Sequence, residues 1–245
     1  MNRVRDKVAL VTGAGSAVGR ACALRLAAEG AAVFATDSAE AAARATAEQI
    51  GKSNGRAQHA AQQVADATGW TATLDAVKRA YGRLDIVVNA AQVYLKKSIR
   101  DTTLADVRAI EDTNFVGCWL AAKHALPMMR EGGARGSFVV VSSVLGQVGL
   151  ADAAAYGAIA GAIRIFIQSV ALECGAKNDG IRANAVLAGP EPLHGLSSPA
   201  GPLALPQALQ GSAETIAETV VYLASDESRF VTASAIVIDD GYSAA

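Results

Sequence analysis

The residues best placed to do chemistry begin at Thr12-Gly13-Ala14-Gly15-Ser16-Ala17-Val18-Gly19. A glycine-rich turn after a strand-like run and before a helix aims backbone N–H groups and a helix N-terminus at phosphate. Gly13 and Gly19 are the candidate phosphate-binding positions. Asp37 follows at the end of a second strand-like run. A carboxylate there can bond an adenosine ribose and repel a 2′-phosphate, which favours NAD over NADP. The competing assignment for Asp37 is a cap on the helix beginning near Ser38.

Positioning these residues requires an alternating architecture. Strand-like runs cover Lys7 to Thr12, Ala32 to Thr36, Ala57 to Val64, Leu84 to Val88, Gly136 to Ser142, Ile181 to Val186 and Ala235 to Asp239. Alanine-rich helical stretches separate them. Val8-Ala9-Leu10-Val11 and Phe138-Val139-Val140-Val141 lack polar alternation, as parallel strands covered on both faces do. The expected fold class is therefore α/β, a Rossmann-type, doubly wound, seven-stranded parallel sheet with helices on both faces. The chain of 245 residues shows no internal shift in composition, so one domain, 1–245, is expected. Five of the six prolines fall at 190–206, which predicts a loop at about 189–211, either a lid over the ligand crevice or a stiff surface connection.

Composition excludes some function classes. Apolar residues make up 51% and charged residues 18%, with 22 basic and 23 acidic side chains interspersed. Nothing supplies the basic stripe that a nucleic acid requires. Met1 to Lys7 is charged and leads straight into a strand-like run, so neither a leader nor a membrane span is expected there, and a cytoplasmic protein is. Cys22, Cys118 and Cys174 lie far apart on predicted helices and read as buried small hydrophobes. His59, His124 and His194 are isolated, reading as surface or hydrogen-bonded residues, and no metal site is expected.

The order of motifs resembles the short-chain dehydrogenase/reductase family over nearly the whole chain. The turn is followed by Leu84-Asp85-Ile86-Val87-Val88-Asn89, by Asn114, by Val141-Ser142-Ser143, by Tyr156 thirteen residues after Ser143, and by Ile181-Arg182-Ala183-Asn184-Ala185-Val186. The resemblance implies Tyr156 as general base, Ser143 as holder of the substrate oxygen, Asn114 in a proton relay, and Asn89 beside the cofactor. It also implies a lysine one helical turn after the tyrosine, where its charge would meet the phenol. That position is Ala160. An unaided tyrosine is only about one-thousandth phenolate at neutral pH.

Other departures from the family pattern converge on the same ligand. Ala17 replaces the middle glycine of the turn, where a methyl hinders close approach. The family's NNAG reads Asn89-Ala90-Ala91-Gln92, which puts a glutamine where glycine leaves room. The aspartate near the adenine is Gln63, which can still accept a hydrogen bond. The family's PG is Ala188-Gly189, and Pro190-Glu191-Pro192-Leu193 lacks the threonine that follows it. A lone lysine loss would also fit an engineered knockout, but the scatter of the other changes argues against one.

Cofactor binding through Gly13, Gly19, Asp37 and Asn89 is thus expected to be impaired by Ala17, Gln92 and Ala160, and Ser143, Tyr156 and Asn114 to be vestigial. Asn114 also has a purely structural assignment, local bonding that bends its helix. The family's helical interface corresponds here to about Leu104 to Arg130, with Trp119, and Ala153 to Cys174, and its second interface to Ala235 to Ala245. The reading is a non-catalytic subunit that binds no cofactor tightly, paired with an intact paralogue in a hetero-oligomer, a tetramer by family habit. The NAD would reside in the partner, and the assembly would oxidise a secondary alcohol, with an aromatic hydroxyacyl-CoA, as in anaerobic toluene degradation, one candidate. The alternatives are an active NAD-dependent dehydrogenase that uses Tyr156 and Ser143 without the lysine, and a ligand-sensing or CoA-binding module.

Overall fold

In the computed structural model, residues 2–133, 135–189 and 212–244 are described. Seven strands, β1 (Val8–Thr12), β2 (Ala32–Asp37), β3 (Ala57–Ala61), β4 (Ile86–Asn89), β5 (Ser137–Ser143), β6 (Arg182–Ala188) and β7 (Ala235–Ile238), form one sheet. Their order is β3-β2-β1-β4-β5-β6-β7 and every pairing is parallel. The helices are α1 (Ala17–Ala28), α2 (Glu40–Lys52), α3 (Ala67–Tyr81), α4 (Leu104–Ile110), α5 (Gly117–Glu131), α6 (Ala154–Lys177) and α7 (Ala213–Ala224). The chain starts at β1, fills one side of the sheet, and crosses back to β4. The switch point, and with it the crevice at the carboxyl ends of the strands, falls between β1 and β4.

The unbroken apolar runs are explained by two cores. Alternate residues of a strand face opposite sides. Leu10, Phe138 and Val140 pack with Trp70 and Leu74 of α3, Cys118 and Ala121 of α5, and Ile163 and Ile167 of α6. Ala9, Val11, Val139 and Val141 pack with Val18, Cys22 and Leu26 of α1 and Ile216 and Val220 of α7. Each large side chain fully buried this way contributes on the order of 1.5–3 kcal/mol of transfer free energy. A buried carboxylate pins the crossover: Asp85 accepts from the Val8 amide at 2.8 Å and pairs with Arg83.

Besides shifts of one to three residues at other element ends, two differences from the expected elements bear on the site. β3 ends at Ala61, three residues before Val64, because after the Gln62 amide bonds the Asp37 carbonyl the chain turns away and Asp66 caps α3 through the Thr68 and Gly69 amides. The single helix expected from Leu104 to Arg130 is instead α4 and α5 separated by a π-helical turn, Glu111–Val116, and Asn114 lies in that turn. π-Helical turns inside helices re-aim side chains and concentrate at functional sites. The proline-rich segment predicted at 189–211 lies, except for Gly189, outside the described residues, as does His194.

α6 is long and apolar enough to cross a membrane by composition alone. It instead lies across the sheet, burying Ile163, Ile167, Val170, Ala171 and Cys174. Ile165 and Leu172 remain exposed on its other side.

Candidate active site

The neighbouring strands β1, β4 and β5 deliver Gly13, Asn89 and Ser143 to one edge of the sheet, and the first turn of α6 brings Tyr156 to them. Gly13 has φ +65°, and a Cβ there would lie 2.7 Å from the Ala91 Cα. A Cβ on Gly19 would lie 2.1 Å from the Gly13 carbonyl oxygen. Only glycine allows the turn to fold back this closely. Ser16 caps α1, accepting from the Gly19 amide at 3.1 Å and donating to the Gly13 carbonyl at 2.8 Å. Ala17 is the exposed first residue of that helix.

The two assignments weighed for Asp37 meet in one side chain. Its Oδ1 accepts from the Ala39 amide at 3.0 Å, at the start of α2, which begins at Glu40 and not near Ser38. Its Oδ2 accepts from the Gly15 amide at 3.0 Å, tying the second strand to the turn. The Ser38 hydroxyl also donates to Oδ1 at 3.4 Å, so of about four acceptor directions on the carboxylate one remains for a ribose. Gln63 is exposed, whereas its neighbour Gln62 is buried, with Oε1 held by Thr36 and Nε2 without a hydrogen-bond partner.

Asn89 is buried and register-paired with Thr12, whose hydroxyl donates to its Oδ1 at 2.6 Å. Asn114 does not bond within its own helix, the structural role considered for it. Its Nδ2 donates to the Val93 carbonyl at 2.9 Å and its Oδ1 accepts from the Val93 amide at 2.8 Å. This paired bond clamps the segment after β4 to the π-helical turn.

Ser143 is fully buried and accepts from the Leu145 amide at 3.2 Å. The Tyr156 hydroxyl donates to Gln92 Oε1 at 3.1 Å, and Gln92 Nε2 donates to the Val141 carbonyl. Glutamine at 92 therefore bridges the tyrosine to β5. Burial pushes the Tyr156 phenol well above its ordinary value; contact with Ser143 opposes this and Tyr94 adds to it. The contact with Gln92 also favours the neutral phenol, because a phenolate facing an amide carbonyl would lose its donor role and meet a negative dipole.

Position 160 supplies no cation to offset this. Ala160, one turn after Tyr156, is 3% exposed, and the backbone of Gly146 lies so close that a Cβ there would sit 2.7 Å from the Ala160 carbonyl carbon. Tyr94, which the motif reading passed over, packs edge-on against Tyr156 with ring centroids 4.9 Å apart. Tyr94, Leu95, Val148, Leu150 and Tyr242 join Ile110, Leu145 and Tyr156 in a small apolar cluster. The only advance signal for Tyr94 was its place two residues after Gln92. Among the described residues, no group of three His, Cys, Asp or Glu gathers as a metal site would require.

The fit to a nicotinamide dinucleotide divides the site. The adenosine half fits, with a phosphate turn closed by Gly13 and Gly19 and acceptor capacity left on Asp37. The nicotinamide half does not, because Gln92 spans the gap from Val141 to Tyr156 and position 160 offers no charge.

A family model described as enoyl-(acyl carrier protein) reductase matches residues 13–243. An NADP-dependent (R)-specific alcohol dehydrogenase from Lentilactobacillus kefiri is 34% identical over 250 residues, covering 99% of both chains. The (3R)-3-hydroxyacyl-CoA dehydrogenase of Mus musculus is 32% identical, covering 98% of this chain and 97% of its own. A solved structure described as a short-chain dehydrogenase/reductase from Burkholderia xenovorans superposes with a TM-score of 0.89 at 29% identity, covering 100% of this chain and 99% of its own. With its parallel sheet, glycine turn and serine–tyrosine pair, the chain belongs to the short-chain dehydrogenase/reductase family.

Proposed function

We propose that this chain is a non-catalytic subunit of an NAD-dependent short-chain dehydrogenase, assembled with an intact paralogue that carries the cofactor. The observation that carries this reading is the bridge from the Tyr156 hydroxyl through Gln92 to the Val141 carbonyl, with alanine at 160. General-base catalysis needs a group whose proton affinity lies near the working pH and whose lone pair is free to meet the substrate. Tyr156 is instead buried, raised in proton affinity, and spent as a hydrogen-bond donor.

The surfaces for assembly are better kept than the chemistry. Trp119 of α5 and Ile165 and Leu172 of α6 are 44%, 61% and 72% exposed. These helices correspond to the subunit-contact helices of the family, and covering such side chains supplies the apolar core an obligate interface needs. The partner's reaction in this proposal is oxidation of a secondary alcohol; the relatives of this chain are named as dehydrogenases of an alcohol and of a 3-hydroxyacyl-CoA. The mouse relative, named for a 3-hydroxyacyl-CoA, supports an acyl-CoA thioester as the substrate class, and an aromatic acyl group is part of this proposal. Asp37 supports NAD for the ribose end, whereas the L. kefiri relative is named for NADP.

The experiment is co-expression with an intact paralogue, followed by NADH titration of the isolated chain and of the assembly. Binding and turnover in the assembly, with neither in the isolated chain, are expected. Turnover of a secondary alcohol by the chain alone would overturn the reading. That result would establish the second reading, an active dehydrogenase, which the retained contact between Ser143 and Tyr156 favours.

A further inference from the structure

The geometry points to a second ligand site, for a small anion carrying a planar ring, at the amino-terminal rim of β5 and β6, the opposite edge of the sheet from Tyr156. A cavity of about 390 Å³ opens there between the end of α6, the segment entering β6 and the segment after α7, lined in part by Arg135, Ile181, Arg182, Asp226, Arg229 and Phe230. That volume lies within the range of small-molecule pockets.

Three arginines line one cavity. Arg182 donates to the carbonyls of Val231, Leu223 and Ser225 at 3.1, 2.7 and 3.1 Å. Three of its five N–H donors are taken by these carbonyls, so it is fixed in place as a charge in the wall. Arg135 and Arg229 are exposed, and among the described residues neither is within ion-pair distance of a carboxylate. Their donors remain for a ligand, and a planar guanidinium matches the paired oxygens of a phosphate or carboxylate. The carboxylate on the wall, Asp226, pairs with Lys7 at 2.9 Å, and Arg135 and Arg182 also help to hold it below the usual carboxylate range.

The ring specificity comes from Phe230. It is 88% exposed, an unusual cost for so large an apolar side chain, and the Arg229 guanidinium lies 4.9 Å from its ring centroid. A ring stacked on Phe230 would extend that cation–aromatic layer while its anionic group reached Arg135 and Arg229. Ile181 adds an apolar side chain to the lining. This site uses none of the residues of the dinucleotide turn, and its existence does not depend on whether the chain is catalytic.

The test is calorimetric titration of the full chain with phenyl phosphate and with inorganic phosphate. Saturable phenyl phosphate binding is expected. Arg135→Gln and Arg229→Gln should each weaken it about tenfold or more, the effect of one lost charge-assisted bond. Phe230→Ala should bring phenyl phosphate down to the affinity of inorganic phosphate while leaving the latter unchanged. All three positions are exposed, so the variants should keep the wild-type circular dichroism and melting curve. Absence of saturation at millimolar ligand, or binding unaffected by both arginine substitutions, would overturn the site. Binding lost once the chain is assembled with a paralogue would overturn it equally, marking the patch as a protein contact.

Discussion

The Tyr156 hydroxyl donates to the Gln92 side-chain carbonyl at 3.1 Å, so the residue that the family uses as a base is held here as a donor. Gln92→Gly removes both the bridge to Val141 and the side chain that crosses the nicotinamide region. Alone it should open space without restoring charge. Joined to Ala160→Lys it should also supply the missing cation, and NADH fluorescence should report saturable binding where the natural chain shows none. Equal NADH affinity in the natural and doubly substituted chains would mean that these two positions do not limit binding.

Tyr156→Phe deletes only the hydroxyl. Gln92 Oε1 then loses its donor, so denaturant unfolding should show a loss of about 1 kcal/mol. Turnover by the assembled enzyme should be unchanged. A drop of tenfold or more in kcat, with assembly intact, would return Tyr156 to a catalytic role.

The same burial gives a signature in pH. The folded chain holds the Tyr156 proton above the ordinary tyrosine value of 10.0, burial being the largest cause. As pH rises past about 10, the unfolded chain releases that proton and the folded one does not, so stability falls with rising pH. Burial raises Tyr81 and Tyr94 as well, so ultraviolet titration should show several delayed tyrosines, with Tyr156 the most resistant, and Tyr156→Phe should remove that last component and reduce the alkaline loss of stability.

Gly19→Ala tests whether the phosphate turn is kept by packing as well as by ligand. Its Cβ would meet the Gly13 carbonyl oxygen at 2.1 Å, a clash of backbone with no flexible side chain to yield. Destabilisation of about 3 kcal/mol is expected by thermal or denaturant unfolding. A neutral result would show that the turn relaxes without its tight closure.

Leu172→Lys places a charge on the exposed side of α6 without touching the core. It should leave the melting temperature of the isolated chain nearly unchanged and abolish co-purification with a paralogue. Persistent assembly would move the interface away from this helix.

The fold was legible because its signals are local. Unbroken Val, Leu and Phe runs between alanine-rich helices can be buried only as parallel strands covered on two faces, and every expected strand is present. The two differences that bear on the site have tertiary reasons: β3 stops where Asp66 draws the chain into α3, and the helix around Asn114 widens where its amide pairs with Val93.

The candidate site divides along the same line. Sequence alone determined that a lysine is missing at 160, that a glutamine replaces glycine at 92, and that glycines stand at 13 and 19, because those are matters of residue type and spacing. What Gln92 does instead, bonding Tyr156 on one side and Val141 on the other, was decided by tertiary structure, as was the seating of Tyr94 against the phenol. The reason is physical: spacing along the chain says which groups exist, but a hydrogen bond between residues 64 positions apart depends on how β4, β5 and α6 pack. Asp37 makes the same point, since only the folded chain directs one carboxylate oxygen to Gly15 and the other to Ala39.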